Sequence, residues 1–346
     1  MMRIALYMGR RFLLLVPQVL LISFITFVLV RLLPGDPARL QLGPLAPEAS
    51  VQALRERLLL DQPLLTQYLA YLGRMLEGDF GRSWVNGTPV SQDLIERVPV
   101  TLELILLSLL VVFVVLVPLA VITASAARHL AVRFFQNVAF VYGMLAGALP
   151  DFLLGLLMIF VFYTVLGILP GPEGRLGLLD IPPDVVTGFL LIDCLIAGDL
   201  ETFWSAVRHM ILPVFTLAFV YGAPIFKMLR ARTEEALRAD YTTYAEVIGL
   251  PARLVFVRAM RVASGPTIVM TGVVSGFLLG GAVLVETVFN MNGLGQYAVQ
   301  AITTADYAAI QGFVLVAAIF TMLVYLAVDL VYVAVDPRVQ LGATTQ

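Results

Sequence analysis

Long apolar runs alternate along the chain with short polar segments, and six of the runs are long enough to cross a bilayer. The hydrocarbon layer is about 30 Å thick, so a helix needs about 20 residues to traverse it. By that measure the pattern predicts spans near residues 12–33, 100–123, 134–169, 210–229, 264–289 and 310–335. The third run is too long for one straight span. Pro150 inside it predicts a kink or break, because proline removes a helical N–H and its ring clashes with the preceding turn. The first run is too long for a signal-peptide core and no small-x-small cleavage site follows it, so it is expected to remain attached.

Segment 34–99 reads as a small folded cap on the outer membrane face. Leu54, Leu58, Tyr68, Leu72 and Met75 fall at helical spacings in two runs separated by Asp61-Gln-Pro63. Turn chemistry flanks them at Pro34-Gly-Asp-Pro37 and Gly78-Asp-Phe-Gly81. Segment 170–209 is rich in Pro, Gly and acidic residues, and its apolar piece at 185–192 is too short to span, which suggests an interfacial or re-entrant element. The expected division is residues 1–33 as cytoplasmic N-terminus and first span, 34–99 as cap, and 100–346 as a core of five spans with a cytoplasmic loop at 230–262.

Composition agrees with an all-α polytopic membrane protein. Of 346 residues, 60% are hydrophobic and 13% charged, with mean hydropathy +0.93, which leaves too little polar side chain to cover a soluble fold. A net charge of −2, with no basic stripe interleaved with aromatics, excludes nucleic acid as the expected partner. The single Cys194 excludes an internal disulfide or a cysteine metal cluster. Basic residues set the orientation. Arg3, Arg10 and Arg11 precede the first span, Arg128 and Arg133 follow the second, and Lys227, Arg230, Arg232, Arg238, Arg253, Arg258 and Arg261 separate the fourth from the fifth. The short opposite loops carry only Arg175 and Arg208, so both termini and the 230–262 loop are expected in the cytoplasm.

Catalytic chemistry is missing from the sequence. A P-loop needs a Gly-Lys pair, and the sole lysine, Lys227, stands between Phe226 and Met228. His129 and His209 fall on opposite predicted sides, and Gly-x-Ser-x-Gly does not occur. The chain is expected not to be an enzyme and to hold no metal or cofactor; if it pumps, energy comes from a partner or an ion gradient.

The most informative polar interruption is 227–261. Asp240 is a good N-cap, and Tyr241, Tyr244, Ala245 and Ile248 recur at i, i+3, i+4 and i+7, which predicts a short helix with one aromatic and apolar face. Gly249 can take φ > 0 to end it, and Pro251 is suited to start the next helix. Such a face between basic flanks reads as a docking hairpin for a soluble cytoplasmic protein. Within the spans, Gly272, Gly276 and Gly280 form a flat strip that packs tightly inside the subunit or faces a partner helix and the central pathway. Intramembrane carboxylates are costly, so Glu103, Asp151, Glu286 and Asp329 each need a reason. Glu103 and Glu286, near the outer ends of their spans, read as structural or interfacial, with Glu286 also a candidate for the pathway or a partner helix, and Asp329 as paired with a cytoplasmic-side arginine. Asp151 reads either as lining a pathway or as a locally satisfied acceptor.

Several short stretches recur in a recognisable order: Arg31-Leu-Leu-Pro-Gly-Asp-Pro37, Gly78-Asp-Phe-Gly-Arg-Ser83, Pro99-Val-Thr-Leu-Glu-Leu104, His209-Met-Ile-Leu-Pro213, Ala239-Asp-Tyr241 with Gly249-Leu250, Val285-Glu-Thr-Val-Phe289 with Gly293-Leu-Gly295, and Asp336-Pro-Arg338. Over essentially its whole length the chain resembles the inner-membrane permease subunits of binding-protein-dependent ABC importers, in the dipeptide, oligopeptide and nickel branch. The resemblance implies six spans in a type I importer core with an external cap between the first two. It also implies that the loop holding Gly249 is the coupling segment that seats in a cleft of the ATP-binding subunit. Asp240, Ala245 and Gly249 carry over directly, while the usual Glu-Ala-Ala reads Thr243-Tyr244-Ala245 here. Where the family has Asn-Ala-Leu-x-Pro this chain has Val262-Ala-Ser-Gly-Pro266, and at Asp151 the family more often has serine.

The implied partners are a second homologous permease, two cytoplasmic ATP-binding subunits that use ATP and Mg, an external solute-binding protein, and membrane lipid. Di- or oligopeptides are the expected solutes, with nickel chelates or another small solute as the alternative. A secondary transporter driven by an ion gradient is the competing class, without an inverted pair of interrupted helices to support it.

Overall fold

The computed structural model describes residues 2–32, 36–43, 45–124 and 130–335. The predicted stretches Pro34-Gly35 and Asp336-Pro-Arg338, and the residues Arg128 and His129, lie outside these. Among the described residues regular structure is helical, apart from one isolated bridge between Arg82 and Pro89. The helices are, in chain order, α1 (Met2–Leu32), α2 (Pro37–Leu42), α3 (Glu48–Arg57), α4 (Leu64–Leu76), α5 (Val90–Val111), α6 (Val117–Ala124) and α7 (Leu130–Leu145). They continue with α8 (Asp151–Met158), α9 (Leu190–Ala197), α10 (Leu200–Arg238), α11 (Asp240–Val247), α12 (Ala252–Phe289), α13 (Leu294–Thr303) and α14 (Tyr307–Val335). A π-helical turn, Val112–Leu116, joins α5 to α6, and another, Ile159–Val165, extends α8.

Among the described residues, five helical stretches are long and apolar enough to cross a membrane: Leu13–Leu32, Val90–Ala124, Leu200–Arg238, Ala252–Phe289 and Tyr307–Tyr332. A shorter apolar stretch, Asp151–Val165, remains from the third predicted run. That run breaks where proline chemistry requires: α7 stops at Leu145, and Pro150, at φ −61° and ψ 146°, stands as the extended residue before α8. Two other spans are longer than their apolar runs, because polar residues continue the same helices. Pro266 does not interrupt α12, although it has no N–H to offer the Val262 carbonyl.

The chain divides into two compact units. The first comprises residues 1–98 and 296–320. In it, α2, α3 and α4 occupy the segment between α1 and α5. Asp36 caps α2 by accepting from the Ala38 N–H at 3.1 Å, and Arg55 of α3 holds the same carboxylate with two hydrogen bonds of 3.0 and 2.6 Å. α4 is fixed to α1 through Phe27, Tyr68 and Tyr71, all buried, and the Tyr68 hydroxyl donates to the Leu20 carbonyl at 2.9 Å. The Gly78-Asp-Phe-Gly-Arg-Ser83 stretch turns through positive φ at Gly78 and Gly81 and then ties down: the Ser83 hydroxyl donates to Asp306.

The second unit comprises residues 99–295 and 321–346. Its centre is the pair α10 and α12, 39 and 38 residues long, which pack along one another. At 1.5 Å per residue each is roughly 58 Å long, nearly twice the hydrocarbon thickness. Pro99, Glu103 and the acidic loop form the opposite end. The buried Glu103 accepts from the Leu190 and Leu191 N–H groups at the start of α9, and Arg175 pairs with it at 3.2 Å. This supports the structural reading of Glu103: a carboxylate at a helix N-terminus satisfies orphan donors and opposes the helix dipole. The piece predicted at 185–192 begins its helix only at Leu190, with Val185 and Val186 exposed. It packs onto α10 through Leu190, Cys194 and Ala206.

Candidate functional site

The 227–261 segment folds as the ends of α10 and α12 with α11 between them. An isolated helix of eight residues is unstable in water, so α11 depends on its mounting. Thr242 and Ala245 are buried against the two long helices, and the Thr242 hydroxyl donates to the Ala236 carbonyl at 2.6 Å. Asp240 does not cap the helix: Ala239, extended at φ −70° and ψ 150°, takes that position and Asp240 begins the first turn. The difference is one residue of register, and the carboxylate still sits where the helix dipole favours it.

The other end of α11 closes as the sequence predicts. Gly249 lies at φ +82°, the Leu250 N–H reaches the Ala245 carbonyl at 3.1 Å, and the Gly249 N–H reaches Glu246 at 2.9 Å. That pair of bonds is a Schellman closure, which needs the left-handed residue that glycine supplies. Pro251 then precedes α12. Because Ala245 points inward, the predicted aromatic face divides. Tyr241, Tyr244 and Ile248 are exposed, joined by Val247 at 79%, which the periodicity alone did not single out.

Deeper in the second unit, Asp151 is buried at the first position of α8. Its carboxylate accepts from the Tyr221 hydroxyl at 2.9 Å and from the Phe152 N–H at 2.7 Å. Tyr221 in turn lies over Gly281, where a Cβ would meet the hydroxyl at 2.2 Å, so the ring needs that glycine. Neither Tyr221 nor Gly281 stood out in the sequence; the only signal was a glycine pair at 280–281 in an apolar helix. The chain leaves the helix between Leu145 and Asp151, so the break predicted at Pro150 falls directly before this carboxylate.

Lys227, the sole lysine, crosses Gly143 and Gly147, with its Nζ 3.4 Å from a Cβ placed at Gly147. With Phe226, Arg230 and Glu234 it lines a cavity of about 380 Å³. A lone lysine within an apolar run was the available signal.

The glycine strip separates into two environments. A Cβ at Gly272 would meet Val328 at 2.8 Å, and one at Gly276 would meet the Tyr325 hydroxyl at 3.0 Å, so these two serve close packing of α12 on the C-terminal part of α14. Gly280 faces open space, on a face shared with the exposed Val273, Phe277 and Leu284. Glu286 is fully buried and accepts from the Thr101 hydroxyl and from the Gly295 N–H at 2.7 Å. A Cβ at Gly293 would approach its carboxylate to 2.5 Å. The two glycines of Gly293-Leu-Gly295 therefore make room for a carboxylate that fastens the turn after α12. Among the described residues no group of three or more His, Cys, Asp or Glu side chains could hold a metal.

Comparison with known proteins places this architecture. A model of the "Binding-protein-dependent transport system inner membrane component" matches residues 116–341, and one of the N-terminal part of such membrane components matches residues 1–105. The chain is 40% identical over 322 residues to a probable D,D-dipeptide transport system permease of Escherichia coli K12, covering 93% of each chain. It is 38% identical over 338 residues to a di/tripeptide transport system permease of Pseudomonas aeruginosa UCBPP-PA14, covering 96% of this chain and 98% of the other. A glutathione transport system permease of Salmonella choleraesuis is 33% identical over 336 residues, covering 96% and 98%.

Proposed function

Because the chain belongs to the family of binding-protein-dependent transport system inner-membrane components, we propose that it is the translocation subunit of an ATP-driven importer for di- and oligopeptides. The observation that carries this reading is the exposed aromatic and apolar face of α11, held at the tip of the two longest helices among the described residues. Tyr241, Tyr244, Val247 and Ile248 are wasted on water and suit a cleft in a partner, where burial of each would contribute about 1.5–3 kcal/mol. The partner is a cytoplasmic ATP-binding subunit, two of which serve a pair of homologous permeases. An external solute-binding protein delivers the solute. ATP and Mg act only on the ATPases, and this chain is not an enzyme.

In this reading the third of six spans is the run near residues 134–169, broken at Pro150 and carried by α7 and α8, residues 34–99 form an extracytoplasmic cap, and both termini face the cytoplasm. Closure of the ATPases displaces α11, and α10 and α12 carry the displacement across the membrane as stiff levers. Gly280 and its neighbours on α12 face the second permease and the pathway, with Asp151 as the pathway's candidate carboxylate. Gly272, Gly276 and Glu286 keep the levers packed. The peptide substrate is supported by the dipeptide, tripeptide and glutathione permeases among the relatives.

The test is uptake into vesicles holding the full assembly. Loaded binding protein should accelerate ATP hydrolysis, and labelled dipeptide should accumulate only with ATP. Accumulation of a nickel chelate in preference to peptides would replace the substrate, and uptake driven by an imposed proton or sodium gradient without ATP would replace the class.

A further inference from the structure

Three arginines of the first unit, Arg31 at the end of α1, Arg74 of α4 and Arg82 after it, line one cavity of about 110 Å³. None of the three forms an ion pair among the described residues, whereas Arg39, Arg55, Arg175, Arg232 and Arg238 each do. The lining holds one carboxylate, Asp79, and that accepts from the Gly81 N–H at 2.9 Å. Arg74 and Arg82 are exposed and Arg31 is half-buried, so it is the Arg31 guanidinium, close to the like charge of Arg74, that is costly to hold without a counter-charge. The same cavity is lined by Tyr307, whose residue is only 8% exposed and whose hydroxyl has no hydrogen-bond partner. Buried hydroxyls are almost always satisfied, so this one calls for a missing acceptor. Three cationic side chains thus line a space large enough for one phosphate-sized group, and an orphan donor lies in its wall.

The surroundings identify which anion fits. Arg31 is the next-to-last residue of the apolar stretch Leu13–Leu32, and Tyr307 is the first of Tyr307–Tyr332, so both stand at the level where hydrocarbon gives way to headgroups. Trp84 meets Tyr307 edge-on at 5.3 Å, an aromatic pair of the kind that favours this interface. Beside the cavity, Leu29, Leu32 and Leu76 are exposed at 58%, 73% and 86%, an apolar surface on which acyl chains can lie. We propose that this cavity holds the phosphate of a phospholipid headgroup, clasped by Arg31 and Arg74 and accepting a hydrogen bond from Tyr307, and so fastens the helical segment 36–76 to the membrane surface.

The test is native mass spectrometry of the whole assembly taken from nanodiscs containing phosphatidylglycerol, with diacylglycerol as the phosphate-free control. One phosphatidylglycerol should be retained per copy of this chain and diacylglycerol should not. The double variant Arg31→Gln/Arg74→Gln should weaken retention about tenfold or more, since hydrogen bonds to charged groups dominate such sites. Tyr307→Phe, which keeps the ring and its packing, should weaken it several-fold, and Arg57→Gln on the exposed side of α3 should change nothing. Equal retention in all variants would overturn the assignment. So would full displacement of the lipid by millimolar inorganic phosphate, which would make the ligand a soluble ion. Loss of docking by the external binding protein with lipid retention intact would make the patch a protein contact and equally reject the lipid.

Discussion

At the scale of single residues, Asp151 shows how one carboxylate can be both satisfied and available. Tyr221 and the Phe152 N–H occupy part of its acceptor capacity, and a carboxylate offers about four lone-pair sites. A charge facing lipid would cost about 2.5–3.5 kcal/mol, so the remaining capacity must meet protein or a wet pathway. Asp151→Asn retains an acceptor for Tyr221 but loses the charge. It should reduce uptake of peptides with extra positive charge relative to neutral ones, measured as the ratio of initial rates, with assembly unchanged. A cysteine placed by Asp151→Cys in a Cys194→Ser background should react with a small water-soluble thiol reagent in at least one nucleotide state; protection in every state would leave only the structural role.

A second residue, Asp193, gives a pH prediction. Burial pushes its carboxyl up, but the Thr187 hydroxyl and the Thr187 and Gly188 N–H groups outweigh this and hold it below the usual carboxylate range. A depressed folded-state value means the stabilisation is fully present above the ordinary value of about 3.9 and is lost as pH falls through the lower folded value. The protection of α9 amides, with the intrinsic pH dependence of exchange divided out, should therefore stay constant from neutral pH down to about 4 and fall only below it. Asp193→Asn should show faster exchange already at neutral pH and little further change on acidification.

At the scale of elements, α11 is a short helix whose existence depends on what flanks it. Gly249→Val places a β-branched residue at φ +82°, a conformation that disfavours side chains by about 1–2 kcal/mol. The Schellman closure should loosen, and ATPase subunits should co-purify poorly with an otherwise inserted chain. Tyr244→Asp leaves the closure intact and puts a charge on the exposed face, so it should lose transport and ATPase stimulation with little change in expression. If both variants transport normally, α11 is not the coupling element. Glu286 tests the opposite end of α12: Glu286→Ala leaves the Thr101 hydroxyl and the Gly295 N–H without their acceptor, and buried donors so orphaned cost about 1–3 kcal/mol each. The expected outcome is a lower unfolding temperature of the detergent-solubilised chain with coupling contacts unaffected.

At the scale of the molecule, two helices far longer than the bilayer is thick give the second unit a mechanical axis. In the proposed coupling, a lever of roughly 58 Å would convert a displacement of a few ångströms at α11 into a rotation at the far end without local unfolding, provided the packing between α10 and α12 is unbroken. Bulk at Gly281 attacks that packing directly, because Tyr221 occupies the space. Gly281→Val should displace Tyr221, release Asp151 and reduce transport at least as strongly as Asp151→Asn, with uptake of all peptides affected alike.

Hydropathy by itself determined that the chain is a helical, multi-pass membrane protein, because apolar runs of bilayer length have only that way to satisfy their backbone in lipid. Local chemistry determined the break at Pro150, the left-handed Gly249 and the paired helices of 48–76, since proline, glycine and helical spacing act within a few residues. Register at α11, where Ala245 turns inward and Val247 outward, was settled by packing against α10 and α12, which are distant in sequence. The division of the glycine strip, with Gly272 and Gly276 against α14 and Gly280 in the open, was likewise a matter of which neighbour arrived. The pairing of Asp151 with Tyr221, and of Glu286 with Thr101, joins residues far apart along the chain. Spacing carries no information about such contacts; they exist only once the helices have packed.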